Sequence, residues 1–292
     1  MNNRPASLST VAPAKINLFL HAGEKRADGF HELLSLAVFT EAGDELRFDP
    51  CDDLTLEIAG PFSAGLSNGE DNLILRAARA LSAETGIRRG AAIRLQKNLP
   101  VASGIGGGSS DAAAALRGLA RLWNIDISEA ELHSLAAGLG SDVPVCLSGR
   151  PAWMSGRGER LLDAPPLPGM WLVLVNPRVA VPTGAVFAGL TARRGTKLLL
   201  PASFGDLPGL IGFLASTGND LEAPACEIAP VIREVLTSLK TAPGVLFSRM
   251  SGSGATCFAI FDRRTAAREL VAHLRQRTDW WVCETALSPP RQ

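Results

Sequence analysis

The sequence predicts an α+β protein, in which helices and antiparallel strands are mixed rather than arranged as a regular parallel βαβ array. Segments with the apolar period of a strand and segments with the period of a helix follow one another along the whole chain. Several strand-like segments also come in close succession near the N-terminus, as in an antiparallel meander. At 292 residues, with 46% hydrophobic residues, the chain is long enough for two modest domains or one large one.

The first half begins with strands. Residues 14–23, "AKINLFLHAG", have strand character, and residues 32–39 and 44–50 are predicted to be two strands on either side of a turn at 41–44, "EAGD". In residues 54–58, "LTLEI", apolar and polar side chains alternate as they do in a half-buried strand.

A helix and a further strand follow. Residues 70–86 have a helical pattern, with Asp71 or Asn72 as the N-cap and Gly86 as the residue that ends the helix. Residues 91–100 read as a strand that ends at a proline.

A glycine-rich loop then leads into a helix that reaches about Trp123, and a later helix ends at Gly138–Gly140. A strand is predicted to start near Val145. The second half opens with a strand at 169–177, and residues 191–218 are only loosely patterned. A helix, a strand–turn–strand, a helix and a last strand are predicted at 229–239, 245–261, 266–277 and 280–287.

The composition excludes several functional classes. Lys+Arg and Asp+Glu number 29 each, so the net charge argues against nucleic acid or an anionic membrane as a partner. No apolar run has the length needed to span a bilayer, and the first 15 residues lack an apolar signal core. The five cysteines are scattered without a CxxC pair, which favours buried thiols over disulfides or a zinc site. We therefore expect a cytoplasmic protein.

Residues 100–119, "PVASGIGGGSSDAAAALRGL", place glycines and serines directly before an alanine-rich helix. Glycines let the backbone approach a ligand closely, and the helix N-terminus offers unsatisfied N–H groups and the positive end of its dipole. Ser109 and Ser110 can donate hydrogen bonds, and Asp111 is expected to cap the helix. The segment is predicted to bind phosphate. The alternative is a flexible linker or a tight turn that packs strand on helix.

Two other phosphate motifs do not fit this segment. A Walker A loop requires a lysine after the glycines, and none follows here. A dinucleotide fingerprint requires a third glycine where this chain has Ser109.

Lys15, Asn17 and Phe19 lie on one face of the first strand because side chains alternate along a strand. A lysine in such apolar sequence is costly unless it is paired or lines a cleft. The alternative is a solvent-exposed lysine that protects an edge strand from aggregation.

Two further segments carry candidate functional side chains. Phe30 and His31 follow a turn and could stack on and hydrogen-bond a planar ligand, although a core phenylalanine and a surface histidine would also fit the pattern. Asp142 lies between a helix end and the predicted strand, where Pro144 should hold Val143 extended. It could act in a site or cap nearby amides.

Together these segments resemble the GHMP kinase superfamily, which includes galactokinase and the homoserine, mevalonate and phosphomevalonate kinases. "PVASGIGGGSSDAA" resembles the phosphate loop of that superfamily. "APAKINLFL", "RADGFHEL", "DNLI", "GSDVPV" and "SGSGATCF" are similar, in this order, to segments of its branch that acts on a cytidine diphosphate sugar alcohol in the non-mevalonate isoprenoid pathway. The similarity extends from about residue 11 to about residue 261.

The resemblance implies a two-lobed GHMP kinase fold with the active site in the cleft between the lobes. Residues 1–160 would be the ATP-binding N-terminal domain, and residues 161–292 the substrate-side C-terminal domain. It implies transfer of a phosphoryl group from ATP, with Mg²⁺, to a hydroxyl of the small-molecule substrate. The oligomeric state is left open.

The resemblance also implies roles for individual residues. Asp142 would accept the proton of the substrate hydroxyl or orient that hydroxyl, while Lys15 would hold Asp142 and offset charge on the phosphoryl group. "SGSGAT", residues 251–256, would close over the site. The implied ATP-binding residues are Asn72, Lys97, Pro100, Val101, Ala102, Ser103, Gly104, Ile105, Gly106, Gly107, Gly108, Ser109 and Ser110. The implied substrate-binding residues are Asn17, Phe30, His31, Arg157 and Thr183.

Phe30 departs from the family pattern, because many relatives have tyrosine there, but stacking on a base needs only the ring face. Two rival functions remain. The first is a GHMP kinase that acts on mevalonate or homoserine, which would not need Phe30 and His31. The second is a nucleotide-binding module without catalysis, which would be expected to lack Lys15 or Asp142.

Overall fold

The computed structural model of the protein describes residues 7–277 and 279–289. The first six residues of the segment that lacks a signal core therefore lie outside the described residues. Within the described ranges, none of the helices is both long enough and apolar enough to cross a bilayer.

The ten strands and nine helices of these ranges are, in chain order, β1 (Leu8–Lys25), β2 (His31–Cys51), β3 (Leu54–Ala59), α1 (Leu73–Thr85), β4 (Gly90–Gln96), α2 (Gly107–Leu122), α3 (Glu129–Leu139), α4 (Val143–Ser148), β5 (Ala152–Gly156), β6 (Arg160–Asp163), β7 (Trp171–Asn176), α5 (Thr183–Ala188), α6 (Leu207–Ala215), α7 (Glu222–Ile228), α8 (Val231–Lys240), β8 (Phe247–Met250), β9 (Cys257–Phe261), α9 (Arg264–Arg277) and β10 (Trp281–Ala286).

The chain divides into two compact units that interleave along the sequence. The first unit contains the described residues up to Ala14, then Gly43–Val101 and Gly107–Ser148. The second unit contains the described residues of Lys15–Ala42, Ala102–Gly106 and those from Gly149 onward. The predicted domain boundary near residue 160 remains a prediction.

The strands of the first unit follow the order β3-β4-β2. Residues 54–59 of β3 pair in parallel with residues 91–96 of β4. Residues 90–96 of β4 pair antiparallel with residues 45–51 of β2. The predicted strand at 54–58 is therefore confirmed, and the one predicted at 91–100 is confirmed as far as Gln96, where β4 ends before the proline.

Helices α1 and α2 of the first unit pack against each other. Helix α1 has the predicted caps: the Asn72 side chain accepts a hydrogen bond from the Ile74 N–H at 2.9 Å, and Gly86 follows the last turn with φ 69°. In α2, a Cβ at Gly118 would lie 2.4 Å from a ring carbon of Phe48. Gly118 is therefore needed for the close packing of α2 on β2.

The second unit is built on an antiparallel sheet with the strand order β10-β7-β9-β8. Helices α8 and α9 pack on this sheet, and its core includes Val173, Ile232 and Phe261. In the same unit, residues 33–37 of β2 pair antiparallel with β5, which pairs with β6. The predicted helices and strands from residue 229 onward are confirmed within the described ranges.

The turn expected at "EAGD" does not form, because β2 runs without a break from His31 to Cys51. Gly43 lies where β1 approaches closely, since a Cβ there would be 2.5 Å from the Ala12 carbonyl oxygen. This glycine therefore permits a close backbone approach rather than a turn.

The strand expected near Val145 is also wrong, because Val143–Ser148 forms helix α4. Pro144 is the second residue of this helix, where its missing N–H costs no intrahelical hydrogen bond, so Val143 is helical rather than extended. The loosely patterned residues 191–218 contain α6, whose N-cap, Asp206, accepts a hydrogen bond from Gly209 N–H at 2.9 Å.

Candidate active site

The glycine-rich segment 100–110 contributes to both units, with Ala102–Gly106 in the second and Gly107–Ser110 in the first. Helix α2 begins at Gly107, earlier than the sequence suggested. Asp111 therefore lies in the second turn, and the expectation that it caps the helix is wrong. Pro100, Ser103, Ile105 and Ser110 are buried, Val101, Ala102 and Gly108 are exposed, and Gly104, Gly106, Gly107 and Ser109 are intermediate.

Backbone hydrogen bonds anchor carbonyl groups of residues 103–105 in the second unit. The Thr256 N–H donates to the Ser103 carbonyl at 3.0 Å, and the Lys15 N–H donates to the Ile105 carbonyl at 2.9 Å. In a planar trans peptide the carbonyl and the following N–H point in opposite directions. Each anchored carbonyl therefore also sets the direction of the next N–H group.

The carbonyl between them, that of Gly104, accepts a hydrogen bond from the Ser251 hydroxyl at 3.0 Å. Gly104 has a φ of 75°, and a Cβ there would lie 2.4 Å from the Ser251 carbonyl oxygen, so only glycine fits. Within the described ranges, the N–H groups of residues 104–106 have no hydrogen-bond partner. These three groups can bind an anion.

The part of the segment in the first unit is the N-terminus of α2. The N–H groups of its first turn have no intrahelical acceptor, and the helix dipole adds positive potential there. A Cβ at Gly108 would approach only Leu73, at 3.8 Å. The Ser110 hydroxyl donates to the Pro13 carbonyl at 2.6 Å, so this hydroxyl is already used within the protein.

Lys97 belongs to a buried ion cluster of the first unit. Its Nζ lies 2.5 Å from Oδ2 of Asp44 and 2.7 Å from Oδ2 of Asp111. Oδ1 of Asp44 accepts hydrogen bonds from the N–H groups of Asn98 and Leu99, at 2.6 and 2.8 Å. The ammonium group of Lys97, a residue that the resemblance implies for ATP binding, thus contacts both carboxyl groups.

The electrostatics of this cluster are unbalanced, with one ammonium group for two carboxyl groups. Burial raises the pKa of Asp111 to about 7, with Lys97 opposing the shift and Asp44 adding to it. Burial opposes the charge of Lys97, but the two carboxylates outweigh it and raise the lysine pKa. Oδ1 of Asp111 is buried and has no hydrogen-bond partner among the described residues.

We expect this cluster to make stability depend on pH. The folded protein holds a proton on Asp111 that the unfolded chain loses near pH 4, so its stabilising contribution is complete below pH 4 and is lost as pH rises through about 7. Asn at position 111 cannot titrate, so the variant does not lose this contribution as pH rises. Between pH 5 and pH 8, the free energy of unfolding of Asp111→Asn minus that of the wild type should therefore increase by at least about 1 kcal/mol. Urea unfolding at both pH values measures this, with the exposed Asp53→Asn as control. Parallel pH profiles for wild type and Asp111→Asn would contradict the assignment.

Lys15 lies in β1 and is 3% exposed, so the solvent-exposed edge-strand alternative is wrong. Its Nζ donates to Oδ1 of Asn17 at 2.8 Å, and Nδ2 of Asn17 donates to the Ser35 hydroxyl at 2.7 Å. Because an ammonium group only donates, it determines which way the Asn17 amide faces. Both ends of the Asn17 amide therefore have protein partners.

Asp142 and Asn72 lie in the first unit. Asp142 directly precedes α4, is partly exposed, and its carbonyl accepts from the Cys146 N–H at 3.2 Å. Besides capping α1, the Asn72 side chain donates from Nδ2 to the Ser67 carbonyl at 2.7 Å. Its amide thus serves to shape the start of α1.

Phe30 presents an aromatic surface in the second unit. It is 52% exposed, so the alternative of a core phenylalanine is wrong. The Arg157 guanidinium lies over the ring at 5.1 Å from its centroid. The Phe30 N–H donates to Oδ1 of Asp28 at 3.1 Å, which holds the turn before it.

His31 lies next to this surface and has two defined contacts. Its ring stacks on Phe187, with centroids 5.7 Å apart and an interplanar angle of 18°. Its Nδ1 lies 3.1 Å from the Gly23 carbonyl oxygen, and a carbonyl can only accept. Nδ1 therefore carries the proton, and in the neutral ring Nε2 is an acceptor. Thr183 is exposed and its hydroxyl lies 2.9 Å from that of Ser253.

Sequence reasoning missed two groups of residues that support these side chains. Phe187 lies in α5, a six-residue helix for which no prediction was made. Asn219 donates from Nδ2 to the carbonyls of Met250 and Gly252, at 2.9 and 2.8 Å, and so supports the turn that contains Ser251. The role of Asn219 depends on contacts distant in sequence, which a local pattern does not show.

Comparisons with known proteins show the family to which the chain is related. Residues 72–150 match the model described as GHMP kinases N terminal domain, and residues 203–278 match GHMP kinases C terminal. The 4-diphosphocytidyl-2-C-methyl-D-erythritol kinase of Ruegeria pomeroyi is 50% identical over 281 residues, which cover 95% of this chain and 98% of that protein. That of Parvibaculum lavamentivorans is 48% identical over 279 residues, which cover 94% and 96%.

Solved structures show the same relationship. A crystal structure of 4-(cytidine 5′-diphospho)-2C-methyl-D-erythritol kinase has a TM-score of 0.77 and 34% identity, and covers 97% of this chain and 100% of that chain. A homoserine kinase from Cytophaga hutchinsonii has a TM-score of 0.75 at 17% identity, covers 100% and 98%, and shares the fold. The predicted mixed α and β fold class is confirmed.

Proposed function

This chain belongs to the GHMP kinase family, among the 4-diphosphocytidyl-2-C-methyl-D-erythritol kinases, and we propose from its geometry how its residues serve that reaction. It is a kinase that phosphorylates an alcohol group of 4-diphosphocytidyl-2-C-methyl-D-erythritol in isoprenoid biosynthesis. We propose that the hydroxyl at position 2 is the acceptor, which gives the 2-phosphate. ATP is the phosphoryl donor implied by the kinase family.

The glycine-rich segment 100–110 is the proposed site for the ATP phosphates. The observation that carries this proposal is the set of unpartnered N–H groups at residues 104–106, held in place by anchored carbonyls. The N-terminus of α2 adds N–H groups and dipole potential in the same stretch of chain. Such preorganised donors stabilise phosphoryl charge without a cost of reorganisation during transfer.

Lys15 and Asp142 are the proposed catalytic residues. Asp142 is a carboxylate at the start of a helix and partly exposed, so it is able to accept the proton of the substrate hydroxyl or to orient that hydroxyl. Lys15 is buried, with its ammonium group oriented by Asn17, and would offset charge on the transferring phosphoryl group. Phosphoryl transfer requires positioning and charge stabilisation more than covalent catalysis, so these groups suffice.

Phe30 and His31 are proposed to recognise the cytosine base. One face of the Phe30 ring is covered by Arg157, and half of the side chain remains exposed for stacking. Nε2 of His31 is an acceptor in the tautomer that the Gly23 carbonyl selects. An acceptor pairs with the exocyclic amine of cytosine and meets a carbonyl in uracil. Thr183 would contact the same substrate.

Mg²⁺ is proposed to enter with ATP rather than to occupy a site of its own. Among the described residues, no three or more His, Cys, Asp or Glu side chains are grouped so that they could hold a metal ion. Mg²⁺ commonly binds substrate phosphates and keeps several waters, which fits a site built mainly of backbone N–H groups. When bound, it would neutralise phosphate charge.

The remaining proposals concern the setting of the reaction. The balanced charge of 29 basic and 29 acidic residues fits small-molecule substrates better than nucleic acid. The five cysteines are free thiols, which fits the reducing cytoplasm. Residues 1–160 and 161–292 are proposed as the evolutionary N- and C-terminal domains.

A substrate panel tests the function. ATP consumption should be measured with 4-diphosphocytidyl-2-C-methyl-D-erythritol, mevalonate and homoserine, and the product phosphate located by ³¹P NMR. We expect turnover with the cytidine compound alone. Turnover with mevalonate or homoserine at comparable kcat/KM would favour a different GHMP kinase activity.

Base recognition is tested with the uridine analogue of the substrate. An unpaired buried polar group costs about 1–3 kcal/mol, so kcat/KM should fall about ten- to a hundredfold. Phe30→Ala should lower kcat/KM for both substrates by a similar factor, because a ring face does not distinguish the two bases. His31→Ala should reduce the ratio of kcat/KM between the cytidine and uridine substrates. Equal kcat/KM for both bases in the wild type would refute this role of His31.

A further inference from the structure

The hydroxyl of Ser251 joins two distant parts of the second unit. It donates to the Gly104 carbonyl and accepts from the N–H of Asn17, both at 3.0 Å. Ser251 is fully buried, so no water competes for these bonds. We refer to this arrangement, Gly104 carbonyl to Ser251 hydroxyl to Asn17 N–H, as the Ser251 bridge.

One end of the bridge sets a phosphate-facing group. The Gly104 carbonyl and the Ile105 N–H belong to the same planar peptide, so holding the carbonyl directs the N–H to the opposite side. The two neighbouring carbonyls, of Ser103 and Ile105, are anchored by backbone N–H groups. Of the three carbonyls, only that of Gly104 is anchored by a side chain.

The other end of the bridge reaches the proposed catalytic lysine. Oδ1 of Asn17 accepts a hydrogen bond from the Lys15 ammonium group, 2.8 Å from Nζ. The backbone N–H of Asn17 donates to the Ser251 hydroxyl. One hydroxyl is thus connected through the Asn17 residue to Lys15 and through one peptide to the Ile105 N–H.

We propose that Ser251 is a positioning residue for phosphoryl transfer, because its hydroxyl directs the Ile105 N–H toward the phosphate and holds it in register with the strand that carries Lys15. The proposal rests on the proposed phosphate site. It also assigns Asn17 the task of orienting Lys15, in addition to or in place of a contact with substrate.

The loss of the hydroxyl should leave the fold standing. In Ser251→Ala, the Ile105 and Ser103 carbonyls keep their backbone donors, so residues 103–105 stay attached on both sides of the lost bond. The Gly104 carbonyl and the Asn17 N–H would lose their partner. The peptide between Gly104 and Ile105 would then be free to rotate, since a glycine resists rotation least.

The test compares Ser251→Ala with Ser251→Thr, which keeps a hydroxyl, and with Thr40→Val. Thr40 is a buried residue of the same unit whose hydroxyl donates to the Ala42 carbonyl at 3.0 Å, so its removal costs stability at a site unrelated to the bridge. The measurements are the dissociation constant of a non-hydrolysable ATP analogue by calorimetry, the KM for each substrate, kcat and the unfolding midpoint in urea.

In Ser251→Ala we expect the dissociation constant of the analogue and the KM for ATP to rise about tenfold, and kcat to fall about tenfold, as two lost hydrogen bonds would give. The KM for the cytidine substrate should change less than about twofold. Ser251→Thr should restore most of the analogue affinity. Thr40→Val should lower the unfolding midpoint with kcat and both KM values unchanged.

Unchanged analogue affinity in folded Ser251→Ala would overturn the proposal, and so would a loss in Ser251→Thr as large as that in Ser251→Ala. If Ser251→Ala does not fold, Ser251→Cys, which keeps the size but donates weakly, takes its place with the same expected direction. A wild type that binds the analogue but phosphorylates none of the panel alcohols would instead count against the proposed function, and the analogue affinities of the variants would still decide the role of Ser251.

Discussion

Lys15→Met and Asp142→Asn should each lower kcat about a hundredfold or more while changing KM little. Both substitutions keep the approximate size of the side chain and remove the group proposed to act in the transition state. Interactions that are stronger in the transition state than in the ground state appear in kcat rather than in KM. Removal of a positioned acid or base commonly costs about 10²–10⁴ in rate.

Each variant has a matched control. Lys25 lies at the exposed end of the same strand as Lys15, and Asp52 is exposed in the same unit as Asp142. Lys25→Met and Asp52→Asn should have wild-type kcat. Circular dichroism and urea unfolding would show that all four variants fold. A kcat within about threefold of wild type for Lys15→Met or Asp142→Asn would remove that residue from the catalytic assignment.

Gly108→Val should weaken ATP binding strongly with little change in stability, whereas Gly104→Ala should lower both ATP affinity and stability. At Gly108 a Cβ approaches only Leu73, at 3.8 Å, so the valine methyl groups would extend into the space proposed for phosphate rather than into protein. At Gly104 a Cβ would lie 2.4 Å from the Ser251 carbonyl oxygen, and φ is 75°, so the backbone itself must shift.

Calorimetry with an ATP analogue and urea unfolding separate the two effects. We expect the affinity of Gly108→Val to fall about a hundredfold or more, with the free energy of unfolding within about 1 kcal/mol of wild type. Gly138→Val serves as the control, because Gly138 lies in α3 and a Cβ there would meet no atom within 4 Å outside the backbone of its own helix. Wild-type affinity in Gly108→Val would mean that the segment is a structural turn, which is the alternative that the sequence left open.

Several structural features of this protein were predictable because their signals are local. The N-cap of α1 at Asn72 and its end at Gly86 follow from side-chain and backbone preferences within a few residues. The strand–turn–strand at 245–261 shows in its apolar period and its glycines. The glycine-rich segment 100–110 was recognisable as unusual because glycine is costly within regular structure and calls for a reason.

Two of the wrong predictions, the turn at 41–44 and the Asp111 cap, share a different cause. "EAGD" has turn composition, yet Gly43 serves the approach of β1, which a local pattern cannot report. Asp111 is of a residue type that commonly caps helices, yet it pairs with Lys97 in the core. In both cases a residue far away in sequence supplied the contact that decided the local structure.

The sequence by itself predicted the α+β fold class and singled out the glycine-rich segment, because periodicity, caps and glycine spacing are properties of neighbouring residues. The family followed from the resemblance of its motifs to those of the GHMP kinases. Only the tertiary structure decided how that segment is held. The Ser251 hydroxyl reaches Gly104 across 147 residues and Asn17 across 234, and the His31 tautomer depends on a carbonyl of another strand. Hydrogen bonds of this kind depend on distances and angles in space, which a one-dimensional pattern does not contain.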